Sequence, residues 1–202
     1  MVWVYAVLLY TENLQPTTGG SIMSSGGVGD TDGYTIITDV RQIDFNDEAA
    51  VMAEIEQFAE TYAYADIEHA LVITPAGKVY SLRGNDVVVN PNIINHEELF
   101  RSIVVHNHPV EWADSFSPQD FALFFERGLL REDVIFGNQH NIMRYDGIVI
   151  DSSVARELYR NAFQEVRQNA MQTQIPLELE QLETMRQLSK TMKGLVFIEN
   201  PR

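Results

Sequence analysis

The sequence contains no cysteine, so a disulfide framework and a thiolate-type structural zinc site are both excluded. Any metal has to be held by histidine and carboxylate. Basic residues are scarce: 14 Lys+Arg against 29 Asp+Glu leave a net charge of −15. A surface of that sign repels phosphate backbones and argues against nucleic acid as the main partner, while leaving room for a small local basic groove. No hydrophobic run reaches the ~20 residues that a membrane-spanning helix needs. The apolar start "MVWVYAVLLY" has no basic region before it and no small-residue cleavage site, and its Val, Trp, Tyr and Leu suit a buried strand over 2–10. Together these absences predict a soluble, intracellular (cytoplasmic) protein that does not engage a membrane. The Gly/Ser/Thr-rich stretch 17–33 lacks a G-x-x-x-x-G-K-[ST] pattern and holds no basic residue. It therefore reads as a loop or long hairpin connection rather than a phosphate cradle.

What is present supports a real core, with hydrophobic residues making up 45% of 202 positions. "YTIITDVRQI", 34–43, predicts a strand. "NDEAAVMAEIEQFAETYAYA", 46–65, predicts a helix capped by Asn46, with Val51, Ile55, Phe58 and Tyr62 at helical spacing as its buried stripe. "EHALVIT" and "KVYSLRG" predict two strands around the turn "PAGK", and "DVVVN" a further short strand. "NHEELFR" predicts a short helix, "SIVVH" a buried strand, "SPQDFALFFERGL" a helix, and "DVIFG" a strand. "HNIMRYDGIVID" predicts a hairpin through Asp146-Gly147, and 153–171 and 176–193 predict two helices parted by Pro176. In the last helix Leu177, Leu179, Leu182, Met185, Leu188 and Met192 supply apolar contacts. This alternation implies an α/β fold, a sheet flanked by helices.

The chemistry concentrates in "VVHNHPVEWADSFSPQDF", 104–121. At the end of a strand, His106 and His108 point the same way, so two imidazoles can face one ion. Asp120 follows His108 by twelve residues at a helix start and can complete a third ligand position. Two His and one carboxylate leave a fourth tetrahedral position open, the catalytic rather than structural pattern for zinc. A bland reading exists for each part. Ser117-Pro118-Gln119-Asp120 is by itself a capped helix start resembling a capping box, and a lone His-x-His is weak. The joint pattern is unusual in a chain with five His, and a capped helix start can still present Ser117 and Asp120 to a metal.

The run "HNHPVEWADSFSPQD" fits His-x-His-Pro-(seven residues)-Ser-x-x-Asp without a gap. It resembles the signature of the JAMM/MPN zinc metallopeptidases, most of all their bacterial, archaeal and phage-associated branch. The resemblance spans about residues 46–150. It implies a JAMM/MPN-like, cytidine-deaminase-like core there, with an N-terminal β extension over 1–45 and a C-terminal helical extension over 151–202. It also implies that His106, His108 and Asp120 bind Zn2+, that Ser117 donates to the tetrahedral oxyanion, and that an upstream Glu at a strand start acts as general acid/base. Glu68 fits that place, ahead of Glu56, Glu60, Glu97, Glu98 and Glu111. His69, His96 and His140 read as core or surface residues. The loop "VEWADSF" departs from the pattern in lacking the Gly that often follows His-Pro. Trp112 and Phe116 either line a cleft or pin the loop to the core, and Glu111 and Asp114 add negative charge nearby.

The resulting expectation is a zinc-dependent hydrolase of peptide or isopeptide bonds, acting on a protein or peptide substrate that includes ubiquitin-like tails. Two competitors stand beside it. One is a non-catalytic binding module of the same fold in a phage or toxin-associated assembly. The other is a nucleic-acid enzyme, since some relatives carry a DNA-repair label, and the charge of −15 opposes it.

Overall fold

The computed structural model describes residues 35–109, 115–147, 150–173 and 179–201. The expected strand 2–10, the loop 17–33, and Glu111, Trp112, Asp114, Pro176 and Leu177 lie outside the described residues. Seven strands run in chain order: β1 Ile36–Gln42, β2 His69–Ile73, β3 Lys78–Arg83, β4 Ile103–Asn107, β5 Arg131–Phe136, β6 Gln139–Tyr145 and β7 Leu195–Pro201. They form one sheet in the spatial order β1-β3-β2-β4-β5-β6-β7. Every neighbouring pair is antiparallel except β4 and β5, which are parallel. Five α-helices accompany the sheet: α1 Glu48–Tyr62, α2 His96–Leu99, α3 Pro118–Arg127, α4 Ser152–Thr173 and α5 Glu180–Thr191. The architecture is mixed α/β, as the alternation of periods predicts. Among the described residues no helix is long and apolar enough to cross a membrane.

Helices cover both faces of the sheet centre. On one face Val51, Ile55 and Phe58 of α1 pack with Leu71, Ile73, Val105 and Ile135. On the other, Phe121, Phe124 and Phe125 of α3, Tyr159 and Ala162 of α4, and Met185 and Leu188 of α5 pack with Val72, Val104 and Val134. A strand enclosed on both sides reads as a continuous apolar run rather than an alternating one. That is why "IVV" precedes the histidines and why all five residues of β4 are buried. The parallel pair β4 and β5 requires a crossover, which α3 supplies. The end of β4 and the start of α3 therefore meet at the same edge of the sheet, where ligand crevices of open α/β sheets form.

Several local expectations are corrected. Asp47, not Asn46, caps α1: its carboxylate accepts from the backbone N–H groups of Ala49 and Ala50, while the Asn46 N–H is spent on Asp44. "DVVVN" is no strand. The Asn85 side chain takes the N–H groups of Val87 and Val88, and the Val89 N–H goes to Glu68, so side chains capture the donors a ladder would need. Asp146-Gly147 does not close a hairpin on β6. One edge of β6 is paired with β5 through the two-residue Gly137-Asn138 loop, where Gly137 takes φ 53°. Its other edge is taken by β7, a strand the sequence patterning did not reveal. The two C-terminal helices are present with bounds 152–173 and 180–191, and strands from 1–45, 46–150 and 151–202 all enter the one sheet.

Candidate metal centre

His106 is on β4 and His108 follows it directly, its N–H extending the parallel ladder by donating to the Ile135 carbonyl at 3.0 Å. The alternation of the extended backbone sends both imidazoles to the α3 face. Their Nε2 atoms stand 3.0 Å apart, and both residues are buried. Asp120 reaches them from the first turn of α3, with Oδ1 3.5 Å from His106 Nε2 and Oδ2 3.5 Å from His108 Nε2. Ligands about 2.0–2.1 Å from a tetrahedral ion lie roughly 3.3–3.4 Å from one another. The three residues are thus spaced as a three-point metal site, and they form a group that can hold a metal ion.

The helix cap and the site are the same structure. Ser117 Oγ accepts from the Asp120 N–H at 3.2 Å, and Asp120 Oδ2 accepts from the Ser117 N–H at 2.7 Å, a reciprocal capping box. This holds the Asp120 carboxylate over the histidines and leaves the Ser117 hydroxyl proton free to donate elsewhere. Pro118 occupies the first helical position, and Gly128, at φ 59°, ends the helix. Phe116, just before the cap, is fully buried against Phe197, and its carbonyl accepts from the Tyr159 hydroxyl of α4 at 2.7 Å. Phe116 pins the loop to the core and does not line the cleft. Burial opposes the charge of Asp120, yet the His106 and His108 imidazoles outweigh it and hold the carboxyl well below the usual carboxylate range.

Glu68 immediately precedes β2 and lines the same groove as His108, Ser117 and Asp120. The groove encloses about 950 Å3 and runs between the 86–92 segment, α3 and α4. Glu68 Oε2 accepts from the Val89 N–H at 2.8 Å. Burial pushes its carboxyl up to about 7, with the Asp120 carboxylate adding to the rise and His108 and the Val89 N–H opposing it. A carboxyl near neutrality can both take and return a proton. The other Glu candidates are elsewhere: Glu56, Glu60 and Glu97 are exposed, and Glu98 accepts from Lys78 and Tyr80. The remaining histidines also lie apart from the site. His69 stacks on Tyr62, His96 contacts Arg127, and His140 meets Asp133 at 2.7 Å.

Two further residues belong to this neighbourhood and were not singled out by the sequence reading. Asn107, fully buried between the two histidines, points to the opposite face. Its Oδ1 accepts from the His69 N–H at 2.7 Å and its Nδ2 donates to the Ile67 carbonyl at 3.0 Å, gripping the backbone on either side of Glu68. Glu132 of β5 lies on the histidine face of the sheet, buried to 1% exposure. Its Oε1 is 3.8 Å from His106 Nδ1, and neither carboxyl oxygen has a hydrogen-bond partner among the described residues. Burial, then the Asp120 and Asp133 carboxylates, push its carboxyl well up. Nothing in the sequence around Asn107 marks it, since a single Asn between two histidines reads as a spacer. "REDVIF" reads as a solvated strand start, and only the position of β5 between β4 and β6 buries those charges. No family profile, curated protein or solved structure matches the chain.

Proposed function

We propose that the protein is a zinc-dependent hydrolase of peptide or isopeptide bonds with a JAMM/MPN-like core. The observation that carries this reading is convergence on one groove wall. His106, His108 and Asp120 surround one position, with Glu68 and Ser117 lining the same groove. The donor set, two imidazoles and a carboxylate with a fourth position left open, suits catalytic zinc. Zinc held there supplies a Lewis acid and lowers the pKa of a water toward ~7.

Glu68 takes a proton from the attacking water as its oxygen bonds to the carbonyl carbon. The Ser117 hydroxyl donates to the carbonyl oxygen as that atom gains negative charge. When the C–N bond breaks, Glu68 returns the proton to the leaving amine, so one water is consumed per bond cut. The groove, about 950 Å3 in volume, has room for a short peptide segment, which fits a peptide or ubiquitin-like tail as substrate.

The test joins metal analysis to one substitution. The purified protein should carry about one zinc per chain, as a single three-ligand site requires. Glu68→Gln should keep that zinc and lose hydrolysis of peptide or isopeptide substrates by about 10²–10⁴-fold. Absence of zinc after reconstitution, or a Glu68→Gln variant that cleaves as fast as the parent, overturns the reading.

A further inference from the structure

The feature the proposed mechanism leaves unused is the carboxylate of Glu132. A fully buried carboxyl with neither oxygen hydrogen-bonded among the described residues is an anomaly, because a buried polar group left unpaired carries its full desolvation cost. Glu132 is on the interior strand β5, in register with Val104, while His106 is opposite Val134 two positions further along. Both side chains therefore emerge on the same face of adjacent parallel strands, one pleat apart.

The facing atoms are specific. His106 turns Nε2 toward His108 and Asp120, and its outer nitrogen, Nδ1, stands 3.8 Å from Glu132 Oε1. An imidazole that ligates a metal through one nitrogen carries its proton on the other, and that N–H needs an acceptor which fixes the ring's tautomer and tilt. We propose that Glu132 is the positioning residue for His106: it favours the tautomer with the proton on Nδ1, closes from 3.8 Å to accept that N–H when Nε2 takes a metal, and so sets the affinity of the three-residue site for its metal. This inference rests on the zinc reading proposed above. It explains why an unpaired carboxyl is kept beside Val104 and Met143. Its effect is exerted through His106 alone. His108, whose Nδ1 has no partner among the described residues, gains no support from it.

The experiment compares the full chain with Glu132→Leu and Glu132→Gln, titrated with zinc against a competing chelator. Metal-free unfolding and the 15N signals of the His106 ring are followed in parallel. Glu132→Leu keeps the shape and removes the acceptor; Glu132→Gln keeps a carbonyl oxygen that can accept. The expected result is zinc affinity weakened about 10–100-fold in Glu132→Leu and largely restored in Glu132→Gln. Metal-free Glu132→Leu should be as stable as the parent or more so, because an unpaired buried carboxylate has been removed. His106 in the metal-free parent should carry its proton on Nδ1, and that preference should fall in Glu132→Leu. A merely structural Glu132 would give the reverse pattern, with stability lost and the tautomer unmoved. Parent-like zinc affinity in Glu132→Leu, with the parent binding zinc, overturns this inference and leaves the hydrolase reading standing. A parent that binds no zinc overturns both.

Discussion

Glu68 carries a partly buried carboxyl whose cost to the fold depends on pH. Burial raises its carboxyl to about 7, whereas in an unfolded chain it titrates near ~4.3. Below about pH 4 both states hold the proton and the group is neutral in its effect. Between about pH 4 and pH 7 the unfolded chain loses its proton first. The metal-free fold is therefore progressively destabilised as pH rises, by up to about 3–4 kcal/mol, and the effect levels off above the folded value. Glu68→Gln removes that burden. Its stabilisation of the metal-free protein over the parent should be small near pH 4 and grow toward pH 8, read by urea unfolding at each pH. An equal difference at both ends would mean that the Glu68 carboxyl is not held in a desolvated site. Such a cost in the empty protein is the usual signature of a group shaped for a task rather than for stability.

At the scale of elements, the site depends on how β2, β4 and α3 are tied together. Asn107 makes that tie, bonding the backbone of residues 67 and 69 from the strand that carries the histidines. Asn107→Ala leaves a backbone donor and an acceptor unpaired, each costing about 1–3 kcal/mol. It should lower the unfolding free energy by about 2–4 kcal/mol while zinc stoichiometry persists, since both imidazoles leave β4 on the other face. Calorimetry beside metal analysis reads both, and unchanged stability would refute the tie. The local parts of this arrangement were legible from the chain. The i, i+2 spacing of His106 and His108 needs only strand geometry, and the Ser117–Asp120 capping box is a four-residue motif. Glu68 as a strand opener came from its place in the sequence order. The part that stayed hidden is Glu132, because burial of a charged strand start is decided by which strands lie on either side of it. The misplaced cap at Asn46 and the unformed strand at "DVVVN" have a shared cause: short polar side chains compete for nearby N–H groups, and residue order alone does not say which one wins.

For the whole molecule, the C-terminal segment is part of the sheet rather than an appendage to it. β7 pairs along β6 from Leu195 to Pro201, buries Leu195, and is braced by Arg186 of α5, whose Nε and Nη2 meet the Glu199 carboxylate at 2.7 and 2.6 Å. Removing residues 195–202 would free the outer edge of β6, still paired with β5 on its other side, and expose a row of backbone donors and acceptors, a template for edge-to-edge association. The loss of Leu195 burial alone costs about 1.5–3 kcal/mol. The shortened chain should unfold at lower temperature and self-associate by size-exclusion chromatography; a monomer with the parent's melting temperature would show β7 to be dispensable.

The periodicities, the helix start at Ser117, the apolar run of β4 and the candidate ligand spacing are matters of residues close together in sequence, and these are written directly into the chain. The absence of cysteine restricts any metal chemistry to His and carboxylate in the same direct way. Other features depend on pairings across long separations: β7 against β6, Asn107 against residues 67 and 69, Glu132 against His106, and the meeting of Glu68 with the 106–120 segment. Such contacts form only when the order of strands in the sheet is settled, and that order is chosen by the packing of both helical layers at once rather than by any local preference.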